Sequence, residues 1–157
     1  MAHYRGTVLS LRSQEDTFDY LARFSSAAQW DPSVGEAEDL DPGPVGIGSR
    51  FRIVVKTAGL PVELRYEVVE YERPDRVRLI AETATFTSDD TIVVRETATG
   101  TEVAYDADVR LKGPLRLFDL AMRVGFSRVA GRAREGLQKQ LSRPRESHAT
   151  SAIAGVR

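Results

Sequence analysis

The side chains best suited to chemistry in this 157-residue chain are Tyr66, Asp90 and Tyr105. Each sits in a run where polar and apolar residues alternate, and a period of two sends successive side chains to opposite faces of a strand. By that parity Tyr66 keeps company with Leu64 and Val68, Tyr105 with Val103 and Ala107, and Asp90 with Ile92 and Val94. A phenol taken out of water needs a hydrogen-bond partner or a ligand. A carboxyl facing an apolar cavity is pushed towards its neutral form and becomes a candidate general acid or base. For Asp90, a bond to backbone or solvent near a strand start is the alternative that the sequence favours. Thr83, in phase with Leu79 and Ala81, is a milder hydrogen-bonding candidate.

Other chemistries are excluded by composition. Cysteine is absent, which removes thiolate nucleophiles, thiolate metal sites and disulfides. The two histidines, His3 and His148, lie near opposite ends of the chain, so neither a histidine-based triad nor a zinc centre is expected in the core. Gly43-Pro44-Val45-Gly46-Ile47-Gly48 lacks dinucleotide or P-loop spacing and leads into a strand rather than a helix, so it is expected to be a turn. No cofactor or metal is therefore expected. With 22 Lys+Arg against 23 Asp+Glu the formal charge is −1, which argues against a nucleic-acid partner. No segment is apolar for long enough to cross a bilayer and the first residues carry no apolar leader, so the expected location is cytoplasmic, without stable membrane insertion.

The elements that must position these groups follow from periodicity. His3 to Arg12 reads as a strand whose inward face the pattern leaves unassigned. Ser13 reads as a helix N-cap, with Glu15 and Asp16 complementing the first turn. Phe18, Leu21 and Ala22 supply an apolar stripe, and Ser25 to Trp30 forms a second short helix ended by Asp31-Pro32. Alternating runs then follow: Val34 to Leu40, Gly48 to Lys56, Leu60 to Val68, Arg76 to Thr83, Phe86 to Glu96 and Glu102 to Leu111. Short turns between them predict an antiparallel meander with one covered face. After Gly113-Pro114, the stripe Leu115, Phe118, Met122, Phe126, Val129, Ala133, Leu137 and Leu141 predicts one helix long enough to lie across the whole sheet. Gly125, Gly131 and Gly136 within it mark a bend or a close approach to the sheet. Residues 142–157 carry no period and are expected to be a flexible tail.

Phe118, Met122 and Phe126 would face Phe51, Ile53, Leu64, Tyr66, Leu79, Ile92 and Tyr105 across the interior. Spacing alone favours a filled core; the sharper alternative is a pocket lined by aromatic and thioether side chains around an apolar ligand. Trp30, the single tryptophan, either lines an entrance or anchors the short helices. On the outer face Glu63, Arg65, Glu67, Arg95, Asp106, Asp108 and Arg110 alternate in sign, as cross-strand pairing requires. Arg116, Arg123, Arg128, Arg132, Arg134 and Lys139 make the long helix basic, read as a solvated back rather than a membrane-facing surface.

The order of strand, two short helices, antiparallel strands and long C-terminal helix supports a family comparison. Together with Trp30-Asp31-Pro32, Gly46-Ile47-Gly48-Ser49-Arg50-Phe51, Tyr66-Glu67-Val68-Val69-Glu70-Tyr71 and the Lys112-Gly113-Pro114-Leu115 junction, it resembles the SRPBCC superfamily. That superfamily includes START-like, Bet v 1-like and bacterial polyketide cyclase/dehydrase-type proteins. The resemblance covers about residues 3–141 and implies an α+β helix-grip fold. A curved antiparallel sheet of six to seven strands would wrap the C-terminal helix, giving a ligand-binding domain over residues 1–141. It also implies an open cavity, with Trp30, Phe51, Ile53, Leu64, Tyr66, Leu79, Thr83, Ile92, Tyr105, Phe118, Met122 and Phe126 as candidate ligand-binding residues.

Fold does not fix function, and three classes stay open. The first is a non-catalytic binder of a lipid-like, polyketide-like or quinone-like molecule. The second is an aromatase/cyclase or dehydratase-type enzyme working without metal or nucleotide, with Asp90, Tyr66 or Tyr105 moving protons. The third is a protein-interaction module, for which the acidic run from Asp31 to Asp41 is the conspicuous surface feature.

Overall fold

The computed structural model describes residues 1–143, apart from the side chains of Asp119 and Met122. The expected tail beyond residue 143, and the ligand-facing side chain expected at Met122, lie outside the described residues. The strands are β1 (Ala2–Ser10), β2 (Val34–Asp39), β3 (Arg50–Val55), β4 (Val62–Glu72), β5 (Arg76–Glu82), β6 (Phe86–Thr97) and β7 (Gly100–Leu111). The helices are α1 (Gln14–Ala22), α2 (Ala27–Trp30) and α3 (Asp119–Leu141), with 3₁₀ turns at Phe24–Ser26 and Gly113–Phe118.

All strands join one antiparallel sheet in the order β1-β7-β6-β5-β4-β3-β2. Six of its strands follow the expected meander, and β1 closes the far edge against β7, with Ala2 opposite Val109 and Ser10 opposite Thr101. This assigns the face that sequence pattern leaves open: Ala2, Val8 and Ser10 are buried. Register shifts between Val34 and Glu36 and between Val68 and Glu70 bend β2 and β4, since an extra residue on one strand increases local twist. The result is a curled half-barrel holding a helix, which is the helix-grip fold.

Sequence fixes α1 locally. Ser13 Oγ accepts the Asp16 amide at 3.1 Å, the expected N-cap. Phe18 and Leu21 are then buried against the sheet, with the Phe18 ring edge-on to Tyr71 at 5.4 Å. The expected second helix is shorter and divided, a 3₁₀ turn followed by the single turn of α2.

Three expectations about elements are corrected. Leu60 is not in the strand expected there: β4 begins at Val62, and Leu60 is 86% exposed. Thr57 Oγ1 donates to Leu60 O and holds these residues in a turn ahead of Pro61. The long helix starts at Asp119, because Gly113 (φ 58°) and Pro114 set up a 3₁₀ segment that includes Leu115. Finally, α3 does not span the sheet: it packs along edge strand β1 and against α2. Gln138 Nε2 donates to Leu9 O and Gln138 Oε1 accepts the Leu9 amide, at 2.9 and 3.0 Å. Only its C-terminal half, at Ala130, Leu137 and Leu141, is sealed into the core, while Leu117, Phe118, Leu120 and Val124 stay exposed.

The close approach expected of a helical glycine occurs once. A Cβ on Gly136 would lie 1.9 Å from the Trp30 carbonyl oxygen, whereas Gly125 and Gly131 face open space. The close neighbour is α2, not the sheet.

Candidate ligand cavity

The concave face divides into two regions according to which helix covers it. On the α1 side Phe18 packs on Tyr71, and Val68, Val77, Leu79 and Ile92 are fully buried in the core. α3 touches the sheet at edge strand β1, and beyond that edge a cavity of about 690 Å³ remains between them, within the roughly 300–1,000 Å³ of small-molecule sites. Among its lining residues, Thr57, Phe118, Ala121 and Gly125 are exposed. Its mouth therefore lies between the β3–β4 turn and the first turns of α3. The filled-core alternative, which spacing favours, does not hold in this region.

The walls are largely apolar: Val34, Ile53, Leu64, Phe86, Ala107 and Val109 from the sheet, and Phe126, Ala130, Ala133 and Leu137 from α3. Phe24 meets Tyr66 edge-on with ring centroids 4.8 Å apart, and Trp30 meets Tyr105 edge-on at 5.9 Å. Such contacts lock the rings that shape the wall. Trp30 is thus both a cavity wall and an anchor, its indole N–H directed to Ser26 Oγ at 3.4 Å.

Set into this wall is one connected polar cluster. Tyr66 donates its hydroxyl hydrogen to Ser88 Oγ at 3.0 Å, and Ser88 donates to Asp90 Oδ2 at 3.0 Å. Tyr105 donates to Asp90 Oδ1 at 2.6 Å. Strand register brings them together: Ser88 and Asp90 are two residues apart on β6, Tyr66 is on β4, and Tyr105 lies opposite Ile92 on β7. Asp90 is 3% exposed. The expectation that it bonds backbone or solvent is overturned, because its strand neighbours place it mid-sheet under the cavity rather than at a wet strand end. Burial raises its pKa from 3.8 to about 6, against the lowering effect of the hydroxyls that donate to it. Burial, and then the Asp90 charge, push both tyrosines well above the usual phenol range.

Asp31 forms a second polar point. Ser33 donates to Asp31 Oδ1 from both its amide, at 2.8 Å, and its hydroxyl, at 2.7 Å, while burial raises the Asp31 pKa. Lys56 and Arg134, both exposed, add positive charge to the lining. Arg134, read from sequence as solvated helix back, reaches across to Thr7 O at 3.4 Å.

Of the expected ligand-binding residues, Trp30, Ile53, Leu64, Tyr66, Tyr105, Phe118 and Phe126 line the cavity, and Asp90 joins them. Phe118 is 63% exposed and stands at the mouth. Phe51, Leu79, Ile92 and Thr83 do not line it. Leu79 and Ile92 have the correct parity and stand opposite Asp90 and Tyr105, but both side chains are fully buried in the core. Phe51 is buried on β3, where the Phe24–Ser26 turn packs. The Thr83 hydroxyl is used locally, donating to Phe86 O at 2.9 Å and accepting the Phe86 amide at 3.0 Å. Sequence reasoning misses Ser88, which shares its parity with Asp90, and Phe24, Asp31 and Val109, whose roles depend on contacts far apart in the chain.

The outer face behaves as expected. Arg52 bridges Glu36, Glu38 and Glu63, and Arg78 joins Glu70 to Asp89. His3 Nδ1 lies 2.9 Å from Asp108 Oδ1 and 3.4 Å from Asp106 Oδ1, with Arg5 already on Asp106. Four of the five acids in the acidic run are paired within the chain: Arg23 pairs with Asp39, Arg50 with Asp41, and Arg52 with Glu36 and Glu38. No helix among the described residues is long and apolar enough to cross a membrane.

Comparison with known proteins agrees with this architecture. No curated protein matches the sequence. Among solved structures, a START superfamily protein from Mycobacterium smegmatis is similar at 16% identity and a TM-score of 0.72, over 90% of this chain and 97% of that one. A protein from Thermus thermophilus is similar at 17% identity and a TM-score of 0.67, over 89% of this chain and 95% of that one. The di-domain ARO/CYC BexL from the BE-7585A biosynthetic pathway is similar at 16% identity and a TM-score of 0.65, over 90% of this chain but 50% of that one. At these identities the likeness concerns fold. The sequence itself matches the family described as polyketide cyclase / dehydrase and lipid transport over residues 1–142. A helix-grip sheet, a cavity left under its C-terminal helix and a family match over nearly the whole chain converge: the protein belongs to the polyketide cyclase / dehydrase and lipid transport family, of SRPBCC type.

Proposed function

We propose that the protein binds a small hydrophobic molecule of lipid-like, polyketide-like or quinone-like character between its sheet and α3. The observation that carries this is a cavity of about 690 Å³ whose apolar wall is interrupted by one buried hydroxyl–carboxyl cluster. Apolar burial supplies affinity at roughly 25 cal/mol per Å², and a few placed polar groups fix orientation. Native mass spectrometry of the purified protein, combined with displacement of an apolar fluorophore, tests the proposal. Retention or displacement at one-to-one stoichiometry supports it, and failure to bind any hydrophobic compound rejects it.

A second reading, turnover by a cyclase or dehydratase route, is favoured by one observation: the Asp90 carboxyl lines the cavity buried among Tyr105 and Ser88, where desolvation pushes its pKa up to about 6. A carboxylate with that pKa is a competent base near neutrality, and the cavity wall would hold a flexible chain in a reactive conformation. Asp90 would take a proton from carbon next to a carbonyl, and its conjugate acid would return that proton to the departing or newly formed oxygen. Asp90→Asn then abolishes turnover of a poly-β-carbonyl substrate while ligand binding persists. Turnover equal to wild type removes Asp90 from the reaction. The protein-interaction reading is less favoured, because four of the five acids in the acidic run are paired within the chain.

A further inference from the structure

We infer that the cavity selects molecules presenting a hydrogen-bond donor, a hydroxyl or an amine, at the Asp90 end, and discriminates against the same molecules capped as ethers there. The inference rests on the binding reading above and deepens it. It follows from counting hydrogens. Tyr66, Ser88 and Tyr105 each own one hydroxyl hydrogen, and all three point inward along the cluster, ending on the two oxygens of Asp90. A neutral hydroxyl donates once, and an ionised carboxylate only accepts. What remains for a guest at this point is lone pairs, on Asp90 and on the tyrosine oxygens.

The nearby donors are engaged as well. Ser33 gives its hydroxyl hydrogen to Asp31, the Trp30 indole N–H turns to Ser26, and the β6 backbone is paired with β5 and β7. An ether or carbonyl oxygen brought to Asp90 therefore loses its water and meets another acceptor, unless a bond inside the cluster is broken. A hydroxyl or amine finds acceptors already in place. Donors for a guest lie elsewhere: Lys56 and Arg134 are exposed at the lining, and Tyr4 lies at the β1 side beside Arg134. The arrangement gives the guest a direction, with its donor at Asp90 and any acceptor or anionic group towards those side chains.

The test compares naphthol, methoxynaphthalene and naphthylmethylamine by calorimetric titration at about pH 8, where Asp90 is ionised. Methoxynaphthalene is the more apolar of the first two, so burial alone ranks it tighter. The donor rule reverses that order, with naphthol about tenfold tighter or more, and the amine arm separates a preference for neutral donors from one for cations. In Asp90→Asn the side-chain amide can turn a donor to the ether, and the naphthol preference falls to about threefold or less. Tyr105→Phe frees one carboxylate oxygen and keeps or enlarges the preference, which guards against loss of structure in the first variant. Equal affinity of naphthol and its ether for the wild type overturns the donor rule while leaving the binding reading standing. Absence of binding by all three compounds overturns both.

Discussion

The Tyr105 hydroxyl donates to Asp90 Oδ1 across 2.6 Å inside a cavity wall where Asp90 is buried and Tyr105 is half-buried. The carboxyl still titrates high, at about 6, because desolvation outweighs the hydroxyls that favour its charged form. Folding is linked to that titration. A carboxyl whose folded pKa exceeds its unfolded value contributes stability while protonated, and the contribution is lost as pH rises through the folded value. Relative to Asp90→Asn, the wild type should therefore lose up to about 3 kcal/mol between about pH 4 and pH 8. Paired urea melts of the two proteins across that window check this. A difference that does not change with pH contradicts it.

Removing the donor should move the carboxyl further. The Tyr105 hydrogen bond lowers the Asp90 pKa, so Tyr105→Phe leaves the negative form less supported and shifts the titration above about 6. Infrared or carboxyl-carbon NMR titration reads this directly. A downward shift would mean that the hydroxyl donates elsewhere.

Gly136 and Gly125 should respond oppositely to alanine. At Gly136 a methyl would meet the Trp30 carbonyl at 1.9 Å, so α3 must move off α2, at about 1–3 kcal/mol. At Gly125 nothing lies within 4 Å, and the better helix former should gain about 0.5–1 kcal/mol. Thermal melts of both variants check the pair.

The Trp30 ring lines the cavity against Tyr105, and it is the single indole in the chain. Its emission should shift or quench as a ligand fills the cavity, saturating at one equivalent. Trp30→Phe should abolish the signal while calorimetry still detects binding.

How much of this is legible in the sequence follows from what is local. Alternation of period two sets the inward face of every strand from β3 to β7, and so puts Tyr66, Tyr105 and Asp90 on the concave side. Ser13 and its acidic first turn announce α1. Parity does not say which positions along a row will be sealed. Leu79 stands in one cross-strand row with Asp90 and Ala107, yet Leu79 is fully buried in the core while the cavity opens over the other two. The open part lies beside α3, which packs along β1 and against α2, where Gly136 meets Trp30 some hundred residues away in sequence. Asp90 is misread from sequence for a related reason, since its burial and its Tyr105 partner come from strands paired beside its own rather than from β6 alone.

Ala107 stands opposite Asp90 on β7, with its methyl at the cavity wall. Titration of naphthol into the wild type and Ala107→Phe, each followed by calorimetry and a thermal melt, tests most directly that this space receives a guest. The account predicts one-to-one binding to the wild type and, in the variant, lost binding with the melting temperature kept within about 2 °C, because the ring enters existing space. A variant that binds as tightly as the wild type, or a wild type that does not bind at all, would contradict it.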